Sequence, residues 1–454
     1  MTGPSIPPLA CVALLGVVLG GCAGDRARPL AERSILLPSV AALDRTRPGA
    51  PPIGSTQPLT LAEVGLLAVR NSPDLRAFRA QQGVAQAQVI QAGLLPDPVL
   101  SGSYNVLIGG PAVANALAAT LTSDISALVT LSARRTAARK AALQVDANII
   151  WQEWQTIGRA QTLAIDLVEQ GRLLRSLEQA LDVLRQRVTI STRALAQGNA
   201  TLQSLAPDVA ALTSLQTQLD AAVLAQEQRW QSLDALIGLD PSVRPLLAAR
   251  LQVPAIAPDA AAAMLASLPQ RRPDLIALQL GYQSQEANLR AAVLGQFPAL
   301  TLGPNYGNDT SNVRSAGPSF SVSLPLFNGN RGAVALQRAT REQLREEYAA
   351  RLATAAGGVK ALLANIAVQK RQLAAAQAGL GQARMLAASA VVALRSGLID
   401  ELSFVQLAVT RLEKDRQVIG LEQQVLDEST TLATLLAAGL PPVRLTPPKA
   451  GNLL

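Results

Sequence analysis

The feature that most constrains the fold of this chain is a seven-residue apolar spacing that occurs twice in the same register. The two series end just before Gly198 and Gly397, and each position in the first lies 199 residues before its counterpart in the second. The series are Leu167, Leu174, Leu181, Val188 and Leu195, and Ile366, Leu373, Leu380, Ala387 and Leu394. At about 3.5 residues per turn, a period of seven keeps one stripe facing a partner helix. The spacing therefore predicts two copies of a long packed helix.

Each series is followed by signals for a turn and a new helix. Gly198 and Gly397 can take the left-handed conformation that ends a helix, and Thr201 and Asp400 are suitable N-caps. Apolar spacing then resumes at Leu205, Leu212 and Leu219, and at Val405, Leu412, Ile419 and Leu426. Two helical hairpins are predicted, with tips near 198 and 397. Pro207 indicates either a kink or a later helix start in the first hairpin.

The helices before the tips are predicted to be long. No proline interrupts residues 137–196 or 332–396, and roughly 60 residues give about 90 Å of helix at ~1.5 Å per residue. A short motif upstream is also duplicated, since Pro73-Asp74-Leu75 matches Pro273-Asp274-Leu275. Arg272 and Asp274 are interpreted as helix-start and packing residues rather than as a catalytic pair.

Between the short motif and each long helix, the sequence predicts two β-hairpins. The four strands are expected at about 98–109, 119–132, 298–309 and 316–327, where Ser, Thr, Val and Tyr are frequent. Strands cross a bilayer only in a closed barrel, and four strands cannot close around a pore, so several copies would be needed. The first repeat has Ser132-Ala133-Arg134-Arg135 where the second has Gly-Asn-Arg-Gly, so its boundary from strand to helix is expected to be less sharp.

The amino end has the pattern of an export signal. An apolar run at 9–19 precedes Leu19-Gly20-Gly21-Cys22, which resembles the lipobox of bacterial lipoproteins. Residues 1–21 are predicted to be a lipoprotein signal peptide, Cys22 the lipidated first residue, and 22–57 a tether along the surface. An ordinary secretory signal with a coincidental Cys is the alternative. No later uninterrupted run of 18 apolar residues occurs, so a membrane-spanning helix is not expected.

Composition excludes several classes of function. The chain has no His, and its only cysteines are Cys11 and Cys22, so the common zinc sites and the Ser-His-Asp arrangement are absent. No phosphate-binding or nucleophile motif occurs. The net charge of +8 comes from dispersed Arg without interleaved aromatic residues, which does not favour nucleic acid. We therefore expect no enzyme, no cofactor and no metal site.

Taken together, these segments resemble the outer-membrane efflux protein family, the TolC-like channels, and within it the lipidated branch that serves resistance-nodulation-division pumps. The strongest segments are LGGC, SLPQRRPDLIALQ, FPALTL, SVSLPLFNGNRGA and ALRSGLIDELSFVQL, with weaker echoes in NSPDLRAF, LPDPVLSG and ALAQGNATLQSL. The likeness covers about residues 58–443, as two repeats at 58–245 and 246–443, followed by a tail at 444–454.

The resemblance implies a mainly α fold with a membrane β part, in which a homotrimer forms a 12-stranded β-barrel and a periplasmic α-helical barrel. Such a channel is a passive exit duct through the bacterial outer membrane. Its hairpin tips, here Gly198, Thr201, Gly397 and Asp400, would meet a periplasmic adaptor that links it to an inner-membrane transporter. A surface lipoprotein with a coiled-coil scaffold or adhesin role, without a pore, is the alternative. The cargo is not indicated.

One departure from the family concerns the periplasmic entrance. Many relatives carry acidic residues early in the helix after the second tip, and the corresponding positions here are Ser403 and Gln406. The nearest carboxylates, Asp400 and Glu401, would either form a ring in a trimer or only cap the helix. The candidate entrance residues are therefore Asp400, Glu401, Ser403 and Gln406.

Overall fold

Two copies of the same series of elements make up the chain in the computed structural model. The structure describes residues 27–440, apart from 28, 35, 48 and 112, together with 443 and 445. The predicted signal peptide, Cys22 and nearly all of the tail lie outside the described residues. The chain divides into one unit up to Leu36 and a second unit from Leu37 onward. The described residues of the first unit contain no helix or strand.

The first repeat contains four helices and two strands. They are α1 (Leu61–Asn71), α2 (Pro73–Gly93), β1 (Val99–Asn105), β2 (Ala116–Asp124), α3 (Ser126–Ala196) and α4 (Leu202–Ile237). α1 begins with a capping box, in which the Thr60 hydroxyl accepts from the amide of Glu63 and the Glu63 carboxylate accepts from the amide of Thr60. α4 begins at Leu202 and continues through Pro207, which excludes a later helix start.

The second repeat follows the same order with one additional short helix, α6. Its elements are α5 (Pro258–Ala266), α6 (Leu268–Arg271), α7 (Pro273–Leu294), β3 (Ala299–Asn308), β4 (Arg314–Ser323), α8 (Arg331–Arg395) and α9 (Glu401–Leu435). With 71 residues in α3 and 65 in α8, the two long helices are about 107 Å and 98 Å long. Both exceed the predicted length.

The boundary between strand and helix in the first repeat differs from the prediction. The strand expected at 119–132 runs from Ala116 to Asp124, and residues 126–132 are helical. The carboxylate of Asp124 accepts from the amides of Ser126 (2.9 Å) and Ala127 (3.3 Å), which starts α3 directly after the strand. In the second repeat, Pro325 and the left-handed residues Gly329 and Asn330 delay the helix to Arg331.

Part of the predicted tether is packed rather than lying on the surface. Leu43 and Ile53 are buried in the largest apolar cluster, with Leu67 of α1, Ile165 of α3 and Leu233 of α4. Backbone bridges pair Leu37 with Leu239 and Leu59 with Leu247. These contacts attach residues 37–59 to the end of the first repeat. The expectation of a surface tether was therefore wrong for this stretch.

The predicted seven-residue series form the packed faces of the long helices. Leu167, Leu174 and Leu181 of α3 are buried, as are Ile366 and Leu380 of α8. Val188, Leu195, Leu373, Ala387 and Leu394 are half-buried. α3 packs against α1, α2, α4, α7 and α9, whereas α8 packs against α5, α7 and α9. The seam prediction is confirmed in both copies.

By length and composition alone, α8 contains a stretch apolar enough to cross a membrane. The helix as a whole is about three times as long as a bilayer core is thick, at ~30 Å. It also packs along α9 and carries Lys360, Lys370 and Arg371 near its middle. Only 17% of the apolar stretch is buried within the chain.

The candidate channel surfaces

The four strands form one antiparallel sheet in the order β1-β2-β3-β4. The pairing of β2 with β3 joins the two repeats, with Tyr306 opposite Ala119 and Leu302 opposite Ser123. At Gly303 a Cβ atom would lie 1.7 Å from the carbonyl oxygen of Leu121, so only glycine allows the two backbones to approach this closely. β1 and β4 are the edges of the sheet.

One face of the sheet is apolar. Directly opposed residues of an antiparallel pair lie on the same face, so the register assigns every strand residue to a side. The large apolar side chains of this apolar sheet face are Leu100, Tyr104, Leu117, Leu121, Leu300, Leu302, Tyr306, Phe320 and Val322, and the polar Asn308 and Arg314 share the face at the end nearest the β3–β4 turn. Phe320 is 74% exposed and Leu100 is 70% exposed. A surface of this kind fits a lipid environment.

The opposite face is small and polar. Apart from Val99, Asp124 and three alanines, its residues are Ser, Thr, Asn or Gly. They are Ser101, Ser103, Asn105, Thr120, Thr122, Thr301, Gly303, Asn305, Gly307, Ser315, Gly317, Ser319, Ser321 and Ser323. Alternation of an apolar face with a hydroxyl-rich face is typical of strands that separate lipid from water. We name the face made of these Ser, Thr, Asn and Gly residues the small polar sheet face.

The helical hairpin tips have the geometry predicted for them. Gly198 has φ +74° and Gly397 has φ +67°, in the left-handed region that favours glycine. The amides of Asn199 and Leu398 donate to carbonyls five residues back, at 2.8 and 2.9 Å, which closes a Schellman turn in each tip. At Thr201 the hydroxyl caps α4, and at Asp400 the carboxylate caps α9.

Sequence reasoning missed two exposed leucines at the tips. Leu202, the first residue of α4, is 72% exposed, and Leu398, next to Gly397, is 78% exposed. The sequence does contain a signal for them, since each is an apolar residue on an otherwise polar tip. One lies beside the turn glycine and the other beside the N-cap. These side chains give the tips an apolar contact surface.

The candidate entrance residues have different local roles. The Asp400 carboxylate accepts from the Ser403 amide at 2.7 Å, and this hydrogen bonding lowers the pKa of Asp400. Glu401 is exposed in the first turn of α9. The side-chain carbonyl of Gln406 accepts from Arg187 of α3. Asp400 is thus a helix cap, and Gln406 is bound to the first hairpin.

Arg187 connects the two hairpins near their tips. Its Nε donates to the Asp208 carboxylate of α4 at 2.7 Å, and Ser191 donates to the same carboxylate at 2.6 Å. Asp208 is buried and Gln406 is exposed. This network fixes α9 against α3 and α4 at the tip end of the hairpins.

A second polar cluster lies further from the tips, where α3, α4 and α9 meet. Asp166 of α3 accepts from Gln423 of α9 and lies 3.4 Å from the Arg229 guanidinium of α4. Burial, followed by the charge of Asp166, raises the pKa of nearby Asp427 to about 7. Asp427 Oδ1 is buried and has no hydrogen-bond partner among the described residues. This cluster was not predicted from the sequence.

Arg272 and Asp274 form a buried ion pair, which supports their interpretation as packing residues. Two nitrogens of Arg272 contact the Asp274 carboxylate at 3.0 and 2.7 Å. The guanidinium lies 4.8 Å from the ring centroid of Trp151 on α3. Within the described part of the chain, no group of three or more His, Cys, Asp or Glu residues is placed to hold a metal ion.

Comparison with known proteins identifies the class of molecule that these surfaces define. Residues 264–438 match the outer membrane efflux protein family. The chain is 28% identical over 346 residues to the pyoverdine export outer membrane protein OpmQ of Pseudomonas putida, covering 67% of this chain and 70% of OpmQ.

Three solved structures share the fold. A membrane protein from Pseudomonas aeruginosa has a TM-score of 0.70 at 16% identity, covering 91% of this chain and 97% of that one. The Campylobacter jejuni CmeC outer membrane channel has a TM-score of 0.68 at 16% identity, with 92% and 94% covered. The Neisseria gonorrhoeae MtrE outer membrane channel in its open state has a TM-score of 0.64 at 15% identity, with 92% and 99% covered.

The fold is therefore that of a bacterial outer-membrane channel. Together, the family match over residues 264–438, the similarity to OpmQ and the shared fold support an outer-membrane efflux channel and agree with the resemblance in the sequence.

Proposed function

We propose that three copies of this chain assemble into the outer-membrane duct of a tripartite efflux system. The observation that carries the proposal is the sheet, which has one apolar face, one small polar face and two open edges. An open sheet edge in lipid leaves backbone groups without partners, so β4 of one copy must pair with β1 of the next. Three copies give twelve strands. The small polar sheet face then lines the pore.

The long helices support the same assembly. α8 presents exposed apolar side chains away from α7 and α9, namely Leu336, Val368, Met385, Leu386 and Val392. α2 and α4 present Val84, Val223 and Leu224. Burying these surfaces against one another would close a helical barrel in the periplasm. A pore-free scaffold lipoprotein would have no use for the apolar sheet face.

The tips are proposed to contact a periplasmic adaptor protein. Gly198, Thr201, Gly397 and Asp400 shape the tips, and Leu202 and Leu398 give them apolar contacts. The adaptor would link the channel to an inner-membrane transporter, which supplies the energy, so transport through this chain is passive. Asp400, Glu401, Ser403 and Gln406 would surround the periplasmic entrance.

Cys22 is proposed to carry the lipid that attaches the mature chain to the outer membrane. Its support is the Leu19-Gly20-Gly21-Cys22 sequence. A Cys22→Ser variant should lose incorporation of radiolabelled palmitate in growing cells. Unchanged incorporation would contradict the assignment.

Reconstitution of the purified protein into planar bilayers tests the proposed function. We expect discrete single-channel conductance steps and a trimer on gels that dissociates on heating. Ser319→Cys and Ser321→Cys should allow a water-soluble thiol reagent to reduce the conductance, because both hydroxyls lie on the small polar sheet face. Phe320→Cys, on the apolar sheet face, is the matched control and should not respond. Absence of both conductance and trimer would overturn the proposal.

A further inference from the structure

A continuous groove runs between α3 and α7 at the ends nearest the sheet. Its part next to the strands has a volume of about 400 Å³ and is lined by Ala127, Arg134, Phe297 and Leu300, among others. Its part along the helices has a volume of about 520 Å³ and includes Lys140 and Arg290. Val129 and Leu294 line both parts, so the two form one groove. We name it the α3–α7 groove.

The end of the groove next to the sheet carries exposed apolar side chains beside polar ones such as Thr130 and Arg134. Phe297 is 66% exposed, Val129 is 47% exposed and Leu300 is 36% exposed. Leu300 belongs to the apolar sheet face, where it lies opposite Val322. The groove is therefore continuous with the surface that is proposed to meet the acyl chains of the outer membrane.

Three basic side chains follow along the groove. Arg134 and Arg290 are exposed and Lys140 is half-buried. Arg290 lies four residues before the end of α7 and Arg134 eight residues after the start of α3, which places both within about 12 Å of the helix ends. Their charges therefore lie close to the level at which the sheet leaves the membrane.

These three cations have no hydrogen-bond or ion-pair partner among the residues that the structure describes. The two carboxylates that line the groove are already engaged. Asp124 accepts from the amides of Ser126 and Ala127, and Glu286 accepts from Arg341 at 3.4 Å. The groove thus combines exposed apolar side chains with unpaired positive charge, from Arg134 in the part next to the sheet and from Lys140 and Arg290 in the part along the helices.

We propose that the α3–α7 groove binds an anionic glycerophospholipid from the periplasmic leaflet of the outer membrane. An acyl chain would lie against Phe297, Leu294 and Val129, and the phosphate would lie among Arg134, Arg290 and Lys140. Basic side chains beside a membrane attract anionic headgroups, and each adds to the attraction. The inference rests on the proposed function, because it requires the sheet to cross the outer membrane.

Native mass spectrometry of the detergent-extracted full-length protein tests this. Phosphatidylglycerol and phosphatidylethanolamine with identical acyl chains would be titrated in parallel. We expect at least tenfold tighter binding of phosphatidylglycerol to the unmodified protein. The combined variant Arg134→Gln, Lys140→Gln, Arg290→Gln should lose this preference. The matched control Lys360→Gln, Lys370→Gln, Arg371→Gln removes three exposed cations from the middle of α8 and should keep it.

Photolabelling locates the bound lipid. A phosphatidylglycerol with a diazirine in its acyl chain should label residues 125–136 and 287–300. Labelling confined to the four strands would overturn the proposal, as would equal binding of the two lipids or a preference that survives in the groove variant. Conductance measurements distinguish failure of the lipid-binding proposal from failure of the proposed channel function. An unmodified protein that conducts but shows no lipid preference contradicts only the groove, whereas one that forms neither trimer nor channel contradicts the proposed function.

Discussion

The two repeats share the same order of long helices and strands, but their long helices have different surroundings. α3 is buried along much of its length and is contacted by helices from both repeats, whereas α8 is largely exposed on the side away from α7 and α9. The apolar series of the two helices coincide at an offset of 199 residues. The two long helices have therefore kept the same apolar packing face, but different helices contact their remaining surfaces. The long helix of the first repeat finds its partners within the chain, and that of the second leaves apolar side chains exposed.

The tips of the two hairpins also differ in sequence. Substitutions there are expected to have the largest effect on export. After its glycine the first tip has Asn199 and Ala200, and the second has Leu398 and Ile399. Leu398→Glu should abolish export, because a charge placed in an apolar contact must be desolvated. Asn199→Glu at the equivalent position should reduce export less. Accumulation of a fluorescent pump substrate in cells measures this, with trimer mobility on gels as the control. Equal effects would contradict an unequal role of the tips.

The start of the helix before each hairpin is a second difference. Asp274 is buried against Arg272 and Trp151, whereas Asp74 in the first repeat is exposed. Asp274→Asn should lower the free energy of unfolding by about 3 kcal/mol, because it leaves a buried guanidinium without its carboxylate. Asp74→Asn should change it little. Urea titration followed by helical circular dichroism provides the measurement.

A double replacement sharpens this test. Arg272→Met combined with Asp274→Leu removes both charges and should recover much of the loss, since apolar residues can replace a buried ion pair. If the double variant is as unstable as Asp274→Asn, the uncompensated charge is not the cause.

The two repeats also end their last helices differently. Gly238 closes α4 with φ +78°, and the residue 199 positions later is Ala437, with φ +59°. Gly238→Ala should cost about 1–2 kcal/mol, because the left-handed conformation disfavours a Cβ. The new Cβ would also lie 3.2 Å from the Asn71 carbonyl oxygen. Ala437→Gly should stabilise the protein by about 0.5 kcal/mol, less than the relief of strain because glycine is freer in the unfolded chain. Thermal unfolding of both variants measures this, and opposite signs are required.

Local signals explain which parts of the structure the sequence predicted. The hairpins and tips followed from apolar spacing, a turn glycine and an N-cap, all within a few residues of one another. The early start of α3 was missed because residues 125–132 were predicted to continue the strand, whereas the carboxylate of Asp124, the last residue of β2, accepts from the amides of Ser126 and Ala127. Trp151 beside Arg272, and Asp427 beside Asp166, could not be predicted, because each contact joins residues more than 100 positions apart. The groove between α3 and α7 likewise depends on a contact between the two repeats.

The buried carboxyl of Asp427 gives the last and smallest effect. Its equivalent in the first repeat is Gln228, and the equivalent of Asp166 is Asn365, so only one of the two possible sites carries the acid pair. The facing charges are Asp166 and Glu169 on α3 and Arg229 on α4. The pKa of Asp427 is raised from 3.8 to about 7 by burial and then by Asp166.

Between about pH 4 and pH 7 the folded protein therefore holds a proton on Asp427 that the unfolded chain has lost, so the stability from this group falls as pH rises through that window. Asp427→Asn removes the titrating group and should flatten this fall by about 1 kcal/mol, since partial contact with solvent weakens the effect. Urea midpoints measured from pH 4 to pH 8 give the comparison, with Asp220→Asn on the exposed face of α4 as the control. A parallel decline in all three proteins would show that Asp427 does not bind the proton. A decline that flattens only in Asp427→Asn would assign the pH dependence to the contact between α3 and α9, the point where the second hairpin packs against the first.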